Sequence, residues 1–80
     1  MLNYLIVEDF AGQAVPFLFP QKVDHEDMRE QLPYGRIIAG GQARLAGGEV
    51  VCGGSCSIPE IGSRPVEDAA LIAASLSGLV

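Results

Sequence analysis

The stretch from Tyr34 to Ile58, YGRIIAGGQARLAGGEVVCGGSCSI, constrains this chain more than any other, because a Gly-Gly pair sits between two runs of alternating residues. Both central positions of a two-residue hairpin loop take positive φ, which glycine does without steric cost, so Gly47-Gly48 predicts a β-hairpin. Counting outward pairs Leu45 with Val50, Ala43 with Cys52, Gly41 with Gly54, Ala39 with Cys56 and Ile37 with Ile58. Every member of that set is apolar or glycine. The other face collects Arg44, Gln42, Arg36, Glu49, Ser55 and Ser57, with Ile38 and Val51 as exceptions, so one side looks to a core and the other largely to water. A one-residue slip would mix the two sets, which fixes the register.

The remaining elements follow from spacing. Leu2 to Asp9, with Leu5, Ile6 and Val7 in a row, reads as a central strand covered on both faces. A turn at Phe10-Ala11-Gly12-Gln13 leads to a second strand, Ala14 to Phe19, with Val15, Phe17 and Phe19 on one face. Pro16 and Pro20 share the other parity and donate nothing to a ladder, so this strand belongs at a sheet edge. Asp24 suits a helix N-cap, answered by Asp27, with Val23 and Met28 as a hydrophobic staple, and a two-turn helix ends before Pro33. After a loop at Pro59–Arg64, Pro65 opens a second helix capped by Ser63 or Arg64, with Glu67 and Asp68 favouring its positive end. Ala69, Ile72, Ala73 and Leu76, widened by Leu71, form its buried stripe, and Gly78 ends it. The expected fold is a single α+β domain over residues 1–80. Two β-hairpins in the order β-β-α-β-β-α form an antiparallel sheet, the C-terminal helix packs across it, the first helix lies at its rim, and the strand order stays open.

Eighty residues bury only roughly 60% of the surface that the unfolded chain exposes. The chain is nonetheless 49% hydrophobic and only 19% charged, and much of that apolar content is Ala and Gly, which bury little area each. A homo-oligomer covering a further apolar face is the expectation, with Leu76, Leu79 and Val80 as the interaction residues. The net charge of −5, with five basic residues scattered among ten carboxylates, argues against nucleic acid. No run reaches the roughly 18 apolar residues of a membrane span and no signal peptide opens the chain, so a cytoplasmic protein without a membrane partner is expected.

Chemistry is sparse in the sequence. His25 stands among Asp24, Glu26 and Asp27, but neighbouring helical side chains diverge and no second His or Cys lies at ligand spacing. A solvated, capping face is the reading, with no metal. Cys52 and Cys56 lie about 13 Å apart on an extended strand, too far for a disulfide unless Gly53-Gly54 fold it back, so buried free thiols are expected. Of three Gly-Gly pairs, Gly47-Gly48 makes the hairpin loop and the other two interrupt strands, and none lies between a strand and a helix, so they do not make a phosphate loop. Gly40, Gly41, Gly53 and Gly54 instead predict a side-chain-free trough on the core face, bulged to curve the sheet, which either receives the second helix through Ala69 and Ala73 or offers a slot for a small ligand. No catalytic residues and no cofactor are expected.

The runs Ile6-Val7-Glu8-Asp9-Phe10, Val15-Pro16-Phe17-Leu18-Phe19-Pro20, Asp24-His25-Glu26-Asp27-Met28 and Ser63-Arg64-Pro65 before Glu67-Asp68-Ala69 together resemble small uncharacterised proteins encoded in bacteriophage and prophage genomes. The resemblance implies an accessory or structural protein, in the host cytoplasm or in the virion, that works by contact with other proteins. It brings no site residues. A non-enzymatic, self-associating interaction or assembly protein is therefore expected. The alternative is a small-ligand or metal-binding domain using the glycine trough or the thiols of Cys52 and Cys56.

Overall fold

The computed structural model describes residues 1–56, 58 and 61–77. Its elements run β1 (Leu2–Glu8), β2 (Ala14–Pro20), α1 (His25–Gln31), β3 (Arg36–Ala46), β4 (Glu49–Gly53) and α2 (Pro65–Ser77). The four strands make one antiparallel sheet in the order β2-β1-β3-β4, so two hairpins meet through β1 and β3. This is the expected α+β architecture. No helix among the described residues is long and apolar enough to cross a membrane.

The two hairpins turn for different local reasons. At β1–β2, Asp9 Oδ1 accepts the backbone N–H of Ala11 (2.9 Å) and Gln13 (2.8 Å), and Gly12 takes φ 81°. An Asp at the head of a turn can thus replace backbone partners with its own carboxylate. At β3–β4, Gly47 (φ 60°) and Gly48 (φ 82°) make the two-residue loop, which sets Ala46 opposite Glu49, Leu45 opposite Val50 and Ala43 opposite Cys52. Those pairs match the sequence reading.

β1 is the spine. Tyr4, Leu5, Ile6 and Val7 are all fully buried, and their alternation feeds two cores. Tyr4 and Ile6 join Ala39, Ala43, Cys52 and Ile72 beneath α2. Leu5 and Val7 join Phe19 and Ile58 on the opposite face, closed by Val23, Met28 and Leu32 from around α1 and by Ile61. Val15 and Phe17 of β2 pack there too.

Past Gly53 the structure departs from the extended hairpin expected from the sequence. Pairing of β3 with β4 stops at Gln42 opposite Gly53, and Gly54 turns the chain away with φ 74°. The pairs Gly41–Gly54, Ala39–Cys56 and Ile37–Ile58 do not form. Cys56 and Ile58 instead cross to the α1 face, so the two thiols lie on opposite faces of the sheet, both free. A bulge contributes to the same inversion: Ile6 faces Ala39 but Val7 faces Ile37, which leaves Ile38 as the extra residue. Ile38 and Ala39 both pack beneath α2 while Ile37 turns to the other core. Ile38 is apolar because the bulge turns it partly into the core, and the bulge sits there rather than at a glycine.

The expected glycine trough is not one trough. A Cβ on Gly40 would meet Cys56 Sγ at 2.9 Å and Leu5 at 3.0 Å, whereas one on Gly41 would meet the Gly53 carbonyl oxygen at 2.5 Å and Ser63 Cβ at 3.1 Å. The two glycines admit close neighbours on opposite faces. Gly54 is blocked by the Gln42 side chain, and only Gly53 faces open space. Adjacent strand residues alternate between faces, so a Gly-Gly pair cannot hollow one side.

Among the described residues three polar side chains are buried, Asn3, His25 and Asp68, and the last two tie the helices to the sheet. Asp68 is fully buried one turn into α2, where it accepts the Tyr4 hydroxyl (2.5 Å), the Arg64 backbone N–H (2.7 Å) and the Arg64 guanidinium (3.0 and 3.2 Å). The sequence reading gave Asp68 only a helix-dipole role. His25, expected on a solvated face, is also buried, because α1 lays its first residue against the sheet while Glu26 and Asp27 stay outside. Asp24 sits at the N-cap without a side-chain capping bond. Gly78, Leu79 and Val80 lie outside the described residues.

Removing one donor to a buried carboxylate costs about 1.5–3 kcal/mol. Tyr4→Phe is expected to lower the unfolding free energy by that amount in urea titrations followed by circular dichroism. Asp68→Ala, which strands the phenol and the helix start together, is expected to cost about 3 kcal/mol or more.

Candidate functional site

Of the clefts among the described residues, two bring the candidate side chains together, one on each face of the sheet. On the α1 face, Asn3, Gln21, Lys22, Asp24, His25, Gln42, Ser55 and Cys56 line a broad polar cleft. His25 Nε2 is 2.9 Å from the Gly41 carbonyl oxygen. A carbonyl only accepts, so Nε2 carries the proton in this contact. The Phe19 ring meets the imidazole edge-on at 5.4 Å. Asn3 donates to the Val23 (2.9 Å) and Gln21 (3.3 Å) carbonyls, and its own oxygen accepts from Gln42 (3.2 Å). Gln42 also clasps Ser55, donating to its carbonyl (2.8 Å) and accepting its N–H (3.0 Å). These amides are engaged in holding the β2–α1 connection and the exit of β4 in place. No buried side-chain nitrogen or oxygen among the described residues is left without a partner.

The thiols are set for packing rather than reaction. Burial raises the Cys52 thiol, helped by the negative charge of Asp68. Burial also raises Cys56, against the lowering effect of a backbone bond at Ile58 and of Arg29. A nucleophilic cysteine needs the opposite shift. Among the described residues no three His, Cys, Asp or Glu side chains gather where they could share a metal ion.

The α2 face carries the second cleft. Met1, Leu2, Leu18, Ala43, Arg44, Leu45, Val50, Ile72 and Leu76 line an open groove of about 390 Å³. It arises because the apolar parity of the sheet outruns its helix. Leu2, Leu18 and Leu45 continue the face that begins with Tyr4 and Ala43, yet α2 covers the sheet only as far as Ile72. Five large apolar side chains stay exposed around that opening: Met1 (68%), Leu2 (42%), Leu18 (38%), Leu45 (69%) and Leu76 (38%). Ala73, expected in the buried stripe of the helix, is exposed as well. It lines an adjoining depression with Leu45, Glu49, Val50 and Ala70.

Of the interaction residues expected from sequence, Leu76 lies on this groove, while Leu79 and Val80 fall outside the described residues. Gly53 and Gly54 flank a smaller groove beside β4, and Gly40 and Gly41 are covered. The sequence reading missed Leu2 and Leu18 and assigned Leu45 to the core. The signal was available in the parity count: four strands present more apolar positions on the α2 side than a thirteen-residue helix can shelter.

Compared with protein-family models, curated proteins and solved structures, the chain has no match to any.

Burial, the Asp68 hydrogen bond and the Asp68 charge hold the Tyr4 phenol above its ordinary value of 10.0, in that order of size, and the two thiols stand above their ordinary 9.0. The folded chain keeps these protons where the unfolded chain releases them, so their contribution is intact below about pH 8 and declines as pH rises past 9 and then 10. Urea midpoints are expected to fall steadily between pH 8 and pH 11. In Tyr4→Phe the part of that fall beyond pH 10 should shrink, and an unchanged pH profile in the variant would contradict the burial of the phenol.

Proposed function

We propose that this chain is a non-enzymatic interaction module that works by self-association through the apolar groove between the end of α2 and the sheet. The observation that carries the reading is the convergence of Met1, Leu2, Leu18, Leu45 and Leu76, all exposed, around one opening. Isolated exposed apolar residues are ordinary on a protein surface, but a contiguous cluster of them on so small a domain marks a contact surface. Arg44 at the rim gives the groove a polar margin, as interfaces commonly have.

The composition supports the same reading, since a chain of −5 net charge with 19% charged residues has little charge with which to cover its apolar content. An accessory or assembly role in a phage or prophage setting, in the host cytoplasm or in the virion, is the biological context that the resemblance of the sequence suggests. The polar cleft is a weaker basis for ligand binding, because its amides and its histidine are engaged within the fold.

Size-exclusion chromatography with light scattering tests the proposal. The wild type is expected at a multiple of 8.4 kDa at micromolar concentration. Leu45→Asp and Leu76→Arg, both at exposed positions, are expected to give the single-chain mass with unchanged circular dichroism. A wild type that stays at the single-chain mass up to hundred-micromolar concentration would overturn it.

A further inference from the structure

The two outer strands of the sheet differ in what they offer to another chain. β2 carries Pro16 opposite Ile6 and Pro20 opposite Leu2. A proline in a paired strand has no N–H to give its neighbour, so it occupies positions whose backbone points outward. Of the outward positions 14, 16, 18 and 20 on β2, only Ala14 and Leu18 then retain a donor. This edge is blunted.

β4 is open. With two positive-φ glycines between Ala46 and Glu49, the turn bond runs between those two residues, directing the Glu49 backbone toward β3. Alternation then turns the N–H and C=O groups of Val50 and Cys52 outward. β4 is the last strand of the sheet, and no other described strand pairs with its outer side. Protein edges are usually shielded by proline, inward charge or a covering segment. β2 has such a device, whereas in β4 only Glu49 at the hairpin end carries a charge.

Building on the self-association reading, we propose that β4 pairs antiparallel with β4 of a second copy about a two-fold axis through Val51, joining two four-stranded sheets into one of eight. The register is set by the outward groups. With Val51 facing Val51 of the second copy, Val50 falls opposite Cys52 and Cys52 opposite Val50, so every outward N–H and C=O of both residues finds a partner. A shift by one residue would turn these groups away from one another. The same axis explains Val51, the apolar residue on the otherwise polar face of the hairpin, which the folded chain leaves 38% exposed. At the axis the two valines cover each other. Glu49 falls opposite Gly53 of the second copy, where no side chain obstructs it, and on the side toward Arg44 of that copy.

Edge hydrogen bonds supply register, and side chains supply area. A stable pair covers about 800 Å² per partner, about a sixth of the 4929 Å² that this chain exposes. Area on the β4 side comes from Leu45, Val50, Ala73 and Leu76, which line the depression between β4 and α2. A second copy fits this edge better than an unrelated strand because the edge is complementary to itself. The proline-blunted β2 at the far side then ends growth at two copies, giving a closed dimer rather than a fibre.

Opposed residues without mutual hydrogen bonds in antiparallel strands have Cα atoms about 4.5 Å apart, within disulfide range. The test is therefore Val51→Cys under mild oxidation, read on a non-reducing gel, beside Val51→Lys in light scattering. Both substitutions fall at an exposed position, and circular dichroism checks that each variant folds. The proposal expects doubled mass for Val51→Cys at dilute concentration, none for the wild type with its two buried or half-buried thiols, and loss of the dimer peak in Val51→Lys. A wild type that associates while Val51→Cys fails to cross-link and Val51→Lys stays dimeric overturns the β4 pairing and leaves the groove reading standing. A monomeric wild type whose Val51→Cys variant oxidises no faster than the wild type overturns both.

Discussion

The fold depends on one buried carboxylate. Asp68 joins the first strand to the last helix, accepting the Tyr4 hydroxyl across a sequence separation of 64 residues while it closes the first turn of α2 on Arg64. The carboxylate is fully excluded from water, yet three donors and the guanidinium charge surround it, and the exposed side of Arg64 reaches Glu67 (3.3 Å). Burying a charge is costly unless it is paired and fully hydrogen-bonded, and here both conditions hold. The geometric consequence is specific: α2 can rest on the sheet only where its first turn meets Tyr4, so one polar contact fixes the placement of an otherwise slippery, alanine-rich helix. That placement in turn decides which apolar residues of the sheet are sheltered and which are left at the groove.

Small residues let the layers come close, but they do so singly. Gly40 gives Cys56 room on one face, and Gly41 gives Ser63 and the Gly53 carbonyl room on the other. The segment after β4 is drawn in on both sides of β3, and Gly62 accepts the Gly40 N–H (3.2 Å). The exit of β4 therefore wraps the edge of β3 and cuts the hairpin short at Gly53. A longer hairpin would have continued the apolar parity of β4 under α2 through Gly54 and Cys56. The shorter one sends Cys56 and Ile58 to the second core, which α1, with only Met28 and Leu32 as large apolar anchors, would not close by itself.

Much of this architecture was legible in the sequence wherever the signal was local. Gly47-Gly48 fixed the hairpin register, the apolar run Leu5-Ile6-Val7 placed the central strand, Pro16 and Pro20 placed the edge, and Pro65 began the second helix at the right residue. What escaped were effects of tertiary context on individual residues. Nothing in the acidic run from Asp24 to Asp27 shows that His25 will face Phe19 and the Gly41 carbonyl, because that depends on the roll of a seven-residue helix with few apolar anchors. Nor does a first-turn Asp announce burial, since the same residue serves the helix dipole equally well in water. The bulge at Ile38 inverted a face that strict alternation had assigned. The groove followed from comparing the length of a stripe with the length of its cover, a comparison that becomes decisive only once the strand order is known.

The exposed apolar rim and the open edge have a common origin in the mismatch between a wide sheet and a single short helix. A third hairpin or a longer helix would have covered Leu2, Leu18 and Leu45 within one chain. Among the described residues neither is present, and α1 is engaged on the other face. Two responses are open to such a sheet: replace the surplus apolar residues with charge, or cover them by association. The two outer strands are built differently in this respect. β2 blunts its edge with two prolines, while β4 keeps Val50, Val51 and Cys52 in a row, with no strand beside it among the described residues, and places apolar residues on either side of the hairpin loop. The proposed pairing of two copies through β4 requires that asymmetry: one edge that accepts a strand and one that does not.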